Sequence, residues 1–432
     1  MSLKVLINTG PAPSPAEREQ YDQVVGLHPS EVPACVHHNL ELLGHGRRPL
    51  PQPVLTMLVA SLGVWVADKL VPRHETADAW TRRLLLTCPA PAWQAPLAEL
   101  ASLLAFLTGD TWLLSARPVP AWLPMVLRPD ADWQPDCVCL FSGGLDSLVG
   151  AIDLLEAGQR VLLVSHYDYG QLARVQKYLA EALRQAYGPE RVRRWGFRIQ
   201  FEAPELSLRS RSLLFIALAL AAASVWEEPL PVFISENGWI SLNPPLTGNR
   251  LGSYSTRTTH PYFLQGLRHW LAGVDITLPL ENPYQFFTKG EMLAHCRQPS
   301  LLKELAPHTI SCAHPVASRW TKGRHGNCGY CYPCLIRRAA LNAVGWDDED
   351  DYSADVRQDR EIWASRARGR DWRSILYLLQ NWRADPNPYR LLWQTGPLPS
   401  TWEEQQQLAS VLRRGVLEIS QWCEPLRSTF AF

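Results

Sequence analysis

Lysine is scarce in this chain. Six of its 432 residues are lysine, and arginine supplies the rest of the 42 basic residues. These are matched by 42 acidic residues, so the net charge is zero. A surface that wraps nucleic acid needs an excess of positive charge, so a nucleic-acid partner is not expected. Charged residues of both signs reach only 19%. No uncharged apolar run reaches the roughly 20 residues of a membrane span. The most apolar stretch, Val54 to Val71, is broken by Asp68 and Lys69, which suits a buried helix better than a membrane span. The apolar run near Met1 is too short for a secretory signal, and a soluble, cytoplasmic protein without a membrane role is expected. Neither an internal repeat nor a low-complexity segment is visible.

What is present fits a globular chain of two or three domains. Apolar residues make up 46%, enough for a real core. The 18 tryptophans and 35 prolines imply apolar surface segments that a partner could use. The ten cysteines are unevenly spread. Cys35, Cys88, Cys296 and Cys423 are isolated, and Cys137 and Cys139 share a strand-like run. Cys312, Cys328, Cys331 and Cys334 lie together. In a large cytosolic chain such clustering points to metal before disulfide.

Periodicity gives the organisation. Residues 81–88 and 111–115 suggest strands, with a helix over 97–107 ended by Gly109. Residues 118–135 hold five prolines and read as a linker. From Cys137 strands and helices alternate: strands at 137–141, 161–165, 195–201, 232–235 and 275–280, and helices at 145–157, 171–187, 212–226 and 288–296. That alternation means a parallel sheet. The acidic run Asp347 to Asp351 reads as a solvated loop, and helices are expected over 356–368, 372–382 and 403–422.

Two motifs carry chemistry. Ser142-Gly143-Gly144-Leu145-Asp146-Ser147 joins an apolar strand to an amphipathic helix. Glycines there let backbone N–H groups approach an anion, the serines add donors, and an adjacent Asp can hold Mg²⁺. No Gly-Lys-Ser/Thr follows, so this is not a Walker loop, and it is not the dinucleotide G-x-G-x-x-G. The second motif is Cys328-x-x-Cys331-x-x-Cys334 with Cys312 upstream. Four thiolates make a closed, structural zinc site. His314 and His325 are nearby and rank below Cys312 as ligands.

The first motif resembles the loop of N-type ATP pyrophosphatases, the PP-loop family. The two motifs together resemble the 7-cyano-7-deazaguanine synthase family (QueC). Asp168-Tyr169-Gly170-Gln171, Ser210 to Phe215, Thr288-Lys289-Gly290-Glu291-Met292, Thr309 to Cys312 and Arg337-Arg338-Ala339 match further segments of that family. The likeness covers about 137–345, roughly half the chain. The extra N- and C-terminal parts resemble the layout of the QatC-type subunit of the Qat anti-phage system. The implied fold is α/β, a parallel sheet flanked by helices of PP-loop (HUP-like, adenine nucleotide alpha-hydrolase) type. An N-terminal α+β extension at 1–135, the synthase-like domain at 136–345 and a helical C-terminal extension at 346–432 complete it.

The resemblance implies an ATP-dependent carbon–nitrogen ligase that forms AMP and pyrophosphate. A 7-deazaguanine carboxylate is adenylated and passed to ammonia or to an amine of a partner protein. The implied cofactors are structural Zn²⁺ at Cys312, Cys328, Cys331 and Cys334, and Mg²⁺ with ATP. Ser142, Gly143, Gly144, Leu145, Asp146 and Ser147 are expected at ATP, with Asp146 on Mg²⁺ and Lys289 neutralising phosphate. Tyr167, Asp168 and Gln171 are expected at the nucleotide, and Arg209, Arg211, Glu236 and Asn237 at the substrate. His260 and Tyr262 are further pocket candidates. A plain biosynthetic 7-cyano-7-deazaguanine synthase, a tRNA-modifying PP-loop enzyme and a non-catalytic scaffold are the alternatives.

Overall fold

The computed structural model describes residues 2–10, 12–27, 34–129, 133–167, 170–205, 209–247, 257–314 and 326–426. Its N-terminal unit runs β1 (Ser2–Asn8), α1 (Pro15–Arg18), β2 (Gln23–Gly26), β3 (Ala34–Cys35), β4 (His37–His38), α2 (Gln52–Leu70), β5 (Arg83–Pro89), α3 (Pro96–Thr108) and β6 (Thr111–Arg117). Five of these strands form a sheet in the order β3-β2-β1-β5-β6, and every pairing is parallel. The expected α+β extension is thus corrected to α/β. The reason is β1: its buried Val5, Leu6 and Ile7 make it a central strand, with β2 on one side and β5 on the other.

The apolar stretch around Val54–Val71 is helix α2, and it is a core helix. It is long and apolar enough to cross a membrane, yet 78% of its most apolar window is buried inside the protein. Buried Asp68 interrupts it for a reason. Asp68 pairs with Arg82 and accepts from Ser210 N (3.0 Å) and Ser210 Oγ (2.6 Å). Arg82 also meets Asp110 at 2.7 Å. Buried charges of this kind persist only when paired and hydrogen-bonded.

The second unit runs β7 (Cys137–Leu140), α4 (Leu145–Glu156), β8 (Val161–Tyr167), α5 (Gly170–Tyr187), β9 (Val192–Gln200), α6 (Arg211–Ser224), β10 (Val232–Phe233), α7 (Gly238–Leu242), α8 (Pro261–Gly273), β11 (Leu280–Glu281), α9 (Lys289–Ala294), α10 (Pro299–Leu305) and α11 (Tyr332–Ala343). Its sheet order is β11-β10-β7-β8-β9-β4, parallel except for β4, which pairs antiparallel with β9. The expected strand over 275–280 is reduced to the two-residue β11. Asp275 takes a left-handed conformation (φ 61°), which breaks an extended run.

Strand alternation divides the core into two faces. Val138, Leu140, Leu162 and Val164 share one cluster with α6 and the N-terminal unit. Cys137, Cys139, Val161 and Leu163 share the other with α4 and α5. Both faces are covered, so these strands are apolar throughout. Cys137 and Cys139 are core thiols, and burial pushes the Cys137 thiol up to about 12.

The C-terminal part contains α12 (Arg360–Ala364), α13 (Arg370–Ala384), α14 (Pro388–Leu392) and α15 (Trp402–Cys423). The expected helix over 356–368 shrinks to α12. Asp359 caps its start by accepting from Ile362 N at 3.0 Å, and Ser365 is extended (ψ 125°) and ends it. Helix α15 packs against α7, α9 and α11 through Leu408, Val411, Leu412, Val416 and Ile419.

Candidate functional site

The chain leaves β7 toward β8 on one side, and β10 lies on the other. A crevice opens where the strand order reverses, at the carboxyl ends of β7 and β10. The loop Ser142–Ser147 fills that position. Gly143 has φ +83°, and an added Cβ would lie 3.1 Å from Gln176 Cγ. Glycine is therefore needed both for the turn and for the close approach. Gly144 stands at the N-cap of α4. Ser142 Oγ accepts from Gly144 N (3.2 Å) and contacts Ser147 Oγ (3.2 Å). Gln176 Nε2 donates to the carbonyls of Ser142 and His166, both at 3.1 Å, and so fixes the loop against β8.

Two adjoining cavities lie over this edge, of about 380 Å³ and about 260 Å³. Ser142, Ser147, Ser235, Glu236, Ile310 and Ser311 line both. The smaller one adds Gly144, Leu145, Asp146 and Lys289. The larger one adds His166, Arg209, Arg211, Phe215 and Ile216. One end is thus built from loop donors and an ion pair, the other from two guanidiniums beside apolar walls.

Asp146 sits in the first turn of α4, and its carboxylate is held on both sides. Lys289 Nζ pairs with Oδ1. Asn237 Nδ2 donates to Oδ2 at 2.6 Å. Lys289 opens α9 behind Thr288, which forms a capping box with Glu291. Glu418 of α15 accepts from the Thr288 hydroxyl and from Gly290 N (3.2 Å). Arg414, one turn earlier, meets Glu291 at 2.5 Å. The C-terminal helix therefore fixes the helix that presents Lys289. Burial pushes the Glu418 carboxyl up to about 7.

The N-terminal unit supports the other end. Arg209 stacks on Trp80 at 4.5 Å, and Arg73 stacks on the same ring at 4.4 Å. Burial, reinforced by Arg73, lowers Arg209 to about 9. Arg211 opens α6 and donates to His166 Nδ1 at 3.3 Å. Arg257 Nη1 donates to Phe106 O at 2.9 Å, next to the wall residues Thr258 and Thr259.

Several residues expected at the site lie off the cavity walls. Asn237 spends its amide on Asp146 and on Ile240 N (3.1 Å), so it supports Asp146 and caps α7. Tyr167 ends β8 opposite Arg198 and lines neither cavity. Gln171 lies against Gly326. His260 caps α8 and contacts Thr395 Oγ1 at 3.3 Å, and Tyr262 meets Phe106 edge-on at 4.9 Å. Asp168 and Tyr169 lie outside the described residues. Asp68, Trp80, Thr259, Arg414 and Glu418 were not anticipated. Of these, Asp68, a charge inside an apolar run, is the one that the sequence marks.

The four thiols converge. The Sγ atoms of Cys312, Cys328, Cys331 and Cys334 lie within 4.8 Å of one another. Cys312 to Cys331 is 3.8 Å and Cys328 to Cys334 is 3.9 Å. A tetrahedral zinc with bonds of about 2.3 Å would separate its sulfurs by about 3.8 Å. Backbone N–H groups of Ala313, His314, Cys328 and Cys331 point at these sulfurs over 3.2–3.5 Å. Gly329 (φ +84°) turns the first Cys-x-x-Cys beneath Ala354 O. The donor set fits zinc. His314 is exposed and outside this ligand group, and His325 lies outside the described residues.

Fold and site together define an α/β chain with a glycine-rich loop at the switch point and a four-thiol knuckle beside it. No family model matches the chain, and no solved structure matches it. It is similar to the 7-cyano-7-deazaguanine synthase of Novosphingobium aromaticivorans, 29% identical over 250 residues. That alignment covers 52% of this chain and 96% of the relative. The likeness supports a QueC-like family for about half of the chain.

Proposed function

We propose that the protein is an ATP-dependent ligase that adenylates a 7-deazaguanine carboxylate and transfers it to an amine. The observation that carries this reading is the pairing of two subsites across one crevice. The Ser142–Ser147 loop with Asp146 and Lys289 forms one, and the Arg209–Arg211 cavity forms the other. A carboxylate oxygen attacks the α-phosphorus of ATP, and the bond to pyrophosphate breaks. An amine nitrogen then bonds to the acyl carbon, AMP leaves and a proton is released. Activation is needed because a carboxylate is a poor electrophile.

In this reading the loop N–H groups and serines hold the pyrophosphate portion. Lys289 offsets its charge, and Asp146 would hold Mg²⁺. Mg²⁺ supplies charge neutralisation when bound. Arg209 and Arg211 are suited to a carboxylate because guanidinium binds it bidentately. Phe215 and Ile216 give the flat ring apolar contact. The zinc knuckle, if loaded, has no open position and acts by holding the 309–312 segment beside the loop. That segment is tied there by Ile310 N donating to Gly143 O at 3.0 Å.

We place the protein in an anti-phage system of the Qat kind, as a cytoplasmic enzyme. That reading is supported by the half of the chain outside the synthase-like region. The domain limits 1–135, 136–345 and 346–432 belong to the same proposal. The acceptor in this reading is ammonia or a partner-protein amine. The test is mass spectrometry of the enzyme with 7-carboxy-7-deazaguanine and Mg·ATP, plus ammonia or the proteins encoded beside it. Carboxylate-dependent AMP and pyrophosphate support ligation, and the product mass identifies the acceptor. No AMP in any combination overturns the reading and makes tRNA the next substrate.

A further inference from the structure

Glu236 is the one carboxylic acid that lines both cavities among the described residues. It lies shortly after β10, past Ile234 and Ser235, and lines both cavities beside the glycine loop at the switch point. Its backbone is clamped: Asn282 Nδ2 donates to Glu236 O at 2.9 Å and Glu236 N donates to Asn282 Oδ1 at 3.4 Å. Thr259 donates to Oε2, and the Thr259 hydroxyl lies 2.9 Å from Ser241 Oγ. Oε1 is the oxygen that these contacts leave for the crevice.

We propose that Glu236 is the proton acceptor of the amine-transfer step. The inference rests on the function proposed above and adds a residue role to it. The amine nitrogen bonds to the acyl carbon, the bond from that carbon to the AMP oxygen breaks, and AMP leaves with the electron pair. The surplus proton on nitrogen passes to Oε1 and from there to water. Glu236 stands where the two subsites meet, which is where the acyl carbon of an adenylate spanning them must lie. The flanking serines and Ile310 offer no competing base. His166, on the far wall of the larger cavity, is engaged by Arg211 and held neutral by burial and that guanidinium.

The electrostatics agree with this geometry. Burial is the main cause that pushes the Glu236 carboxyl up to about 7; Asp146 adds to the rise, while Thr259 and Lys289 oppose it. Arg209, Arg211 and Cys312 share the wall of the larger cavity with it. A base poised near the working pH combines a usable deprotonated fraction with real proton affinity.

Two half-reactions separate this proposal from the reading beneath it. Carboxylate-dependent ATP–pyrophosphate exchange reports adenylation. Amide release at a constant concentration of unprotonated ammonia reports transfer. In Glu236→Gln, exchange is expected to fall about 3-fold and transfer roughly 10²-fold, with the rise of transfer through pH 7 abolished. Glu236→Asp should restore that rise at a lower rate. Thr259→Val, which removes a donor to Oε2, should move the midpoint upward. Equal loss of exchange and transfer, or an unchanged pH profile in Glu236→Gln or Thr259→Val, overturns the proposal. Absence of exchange in the wild-type enzyme overturns the ligase reading instead.

Discussion

The described residues form two sheets with the same kind of reversal between parallel strands, one at β1/β5 and one at β7/β10. Only the second is fitted for a ligand. After β7 come two glycines and a twelve-residue helix whose first N–H groups are unspent. After β1 the chain reads Thr9-Gly10-Pro11-Ala12-Pro13-Ser14-Pro15, and prolines have no N–H to offer. The crevice itself is plugged. Arg117 Nη1 donates to Asn8 Oδ1 at 2.7 Å and Arg117 Nε meets Glu17 at 2.8 Å. Topology supplies the crevice in both sheets. The side chains and N–H groups at its mouth decide whether anything can bind.

Asp146→Ala should break the contrast most. It leaves Lys289 buried without its carboxylate, and a single charged group of this kind is worth about 10²–10³-fold in rate. Pyrophosphate exchange is the measure. Gly143→Ala comes next. The strained φ and the contact with Gln176 should cost about 1–2 kcal/mol and weaken ATP binding about tenfold, read by titration calorimetry.

Glu418→Gln tests the support from α15 through pH. The folded carboxyl titrates near 7, above its usual range, because burial disfavours its charge. The folded state therefore binds the proton that the unfolded state has already released, and stability falls as pH rises from about 4.5 to about 7. Melting temperatures across that window should show a shallower slope in Glu418→Gln, since one contributor is removed. The smallest effect belongs to the plugged crevice. Arg117→Ala should lower stability by about 1 kcal/mol and leave turnover untouched, as chemical denaturation and the exchange assay would show.

Much of the central unit was legible because its signals are local. Gly109, Gly158 and Gly188 each stop a helix with positive φ, at 77°, 86° and 94°. The glycine loop and the cysteine spacing likewise act over a few residues. What was hidden is long-range. Strands β3 and β4 are two residues long, too short for any period to register. Trp80 and Phe106 look like ordinary apolar residues until the fold sets them under Arg209 and Arg257. Glu418 reads as one charge on an amphipathic helix, and only packing brings it to Thr288. The extensions thus reach the site by contacts that no local pattern encodes.

The pairing of β4 with β9 has a consequence for how the chain is made. His38 sits opposite Ile199, and Asn39 bridges Gly196 O (2.9 Å) and Arg198 N (2.6 Å). The last part of the outer edge of the central sheet is therefore covered by a segment synthesised some 160 residues earlier. On the ribosome, that segment has no strand to join until β9 has emerged. A nascent chain stalled before residue 200 holds an unmatched edge, and such edges are where chains pair with one another. Completion of this fold is thus gated by translation, and its vulnerable interval is set by how long the ribosome takes to travel from residue 39 to residue 200.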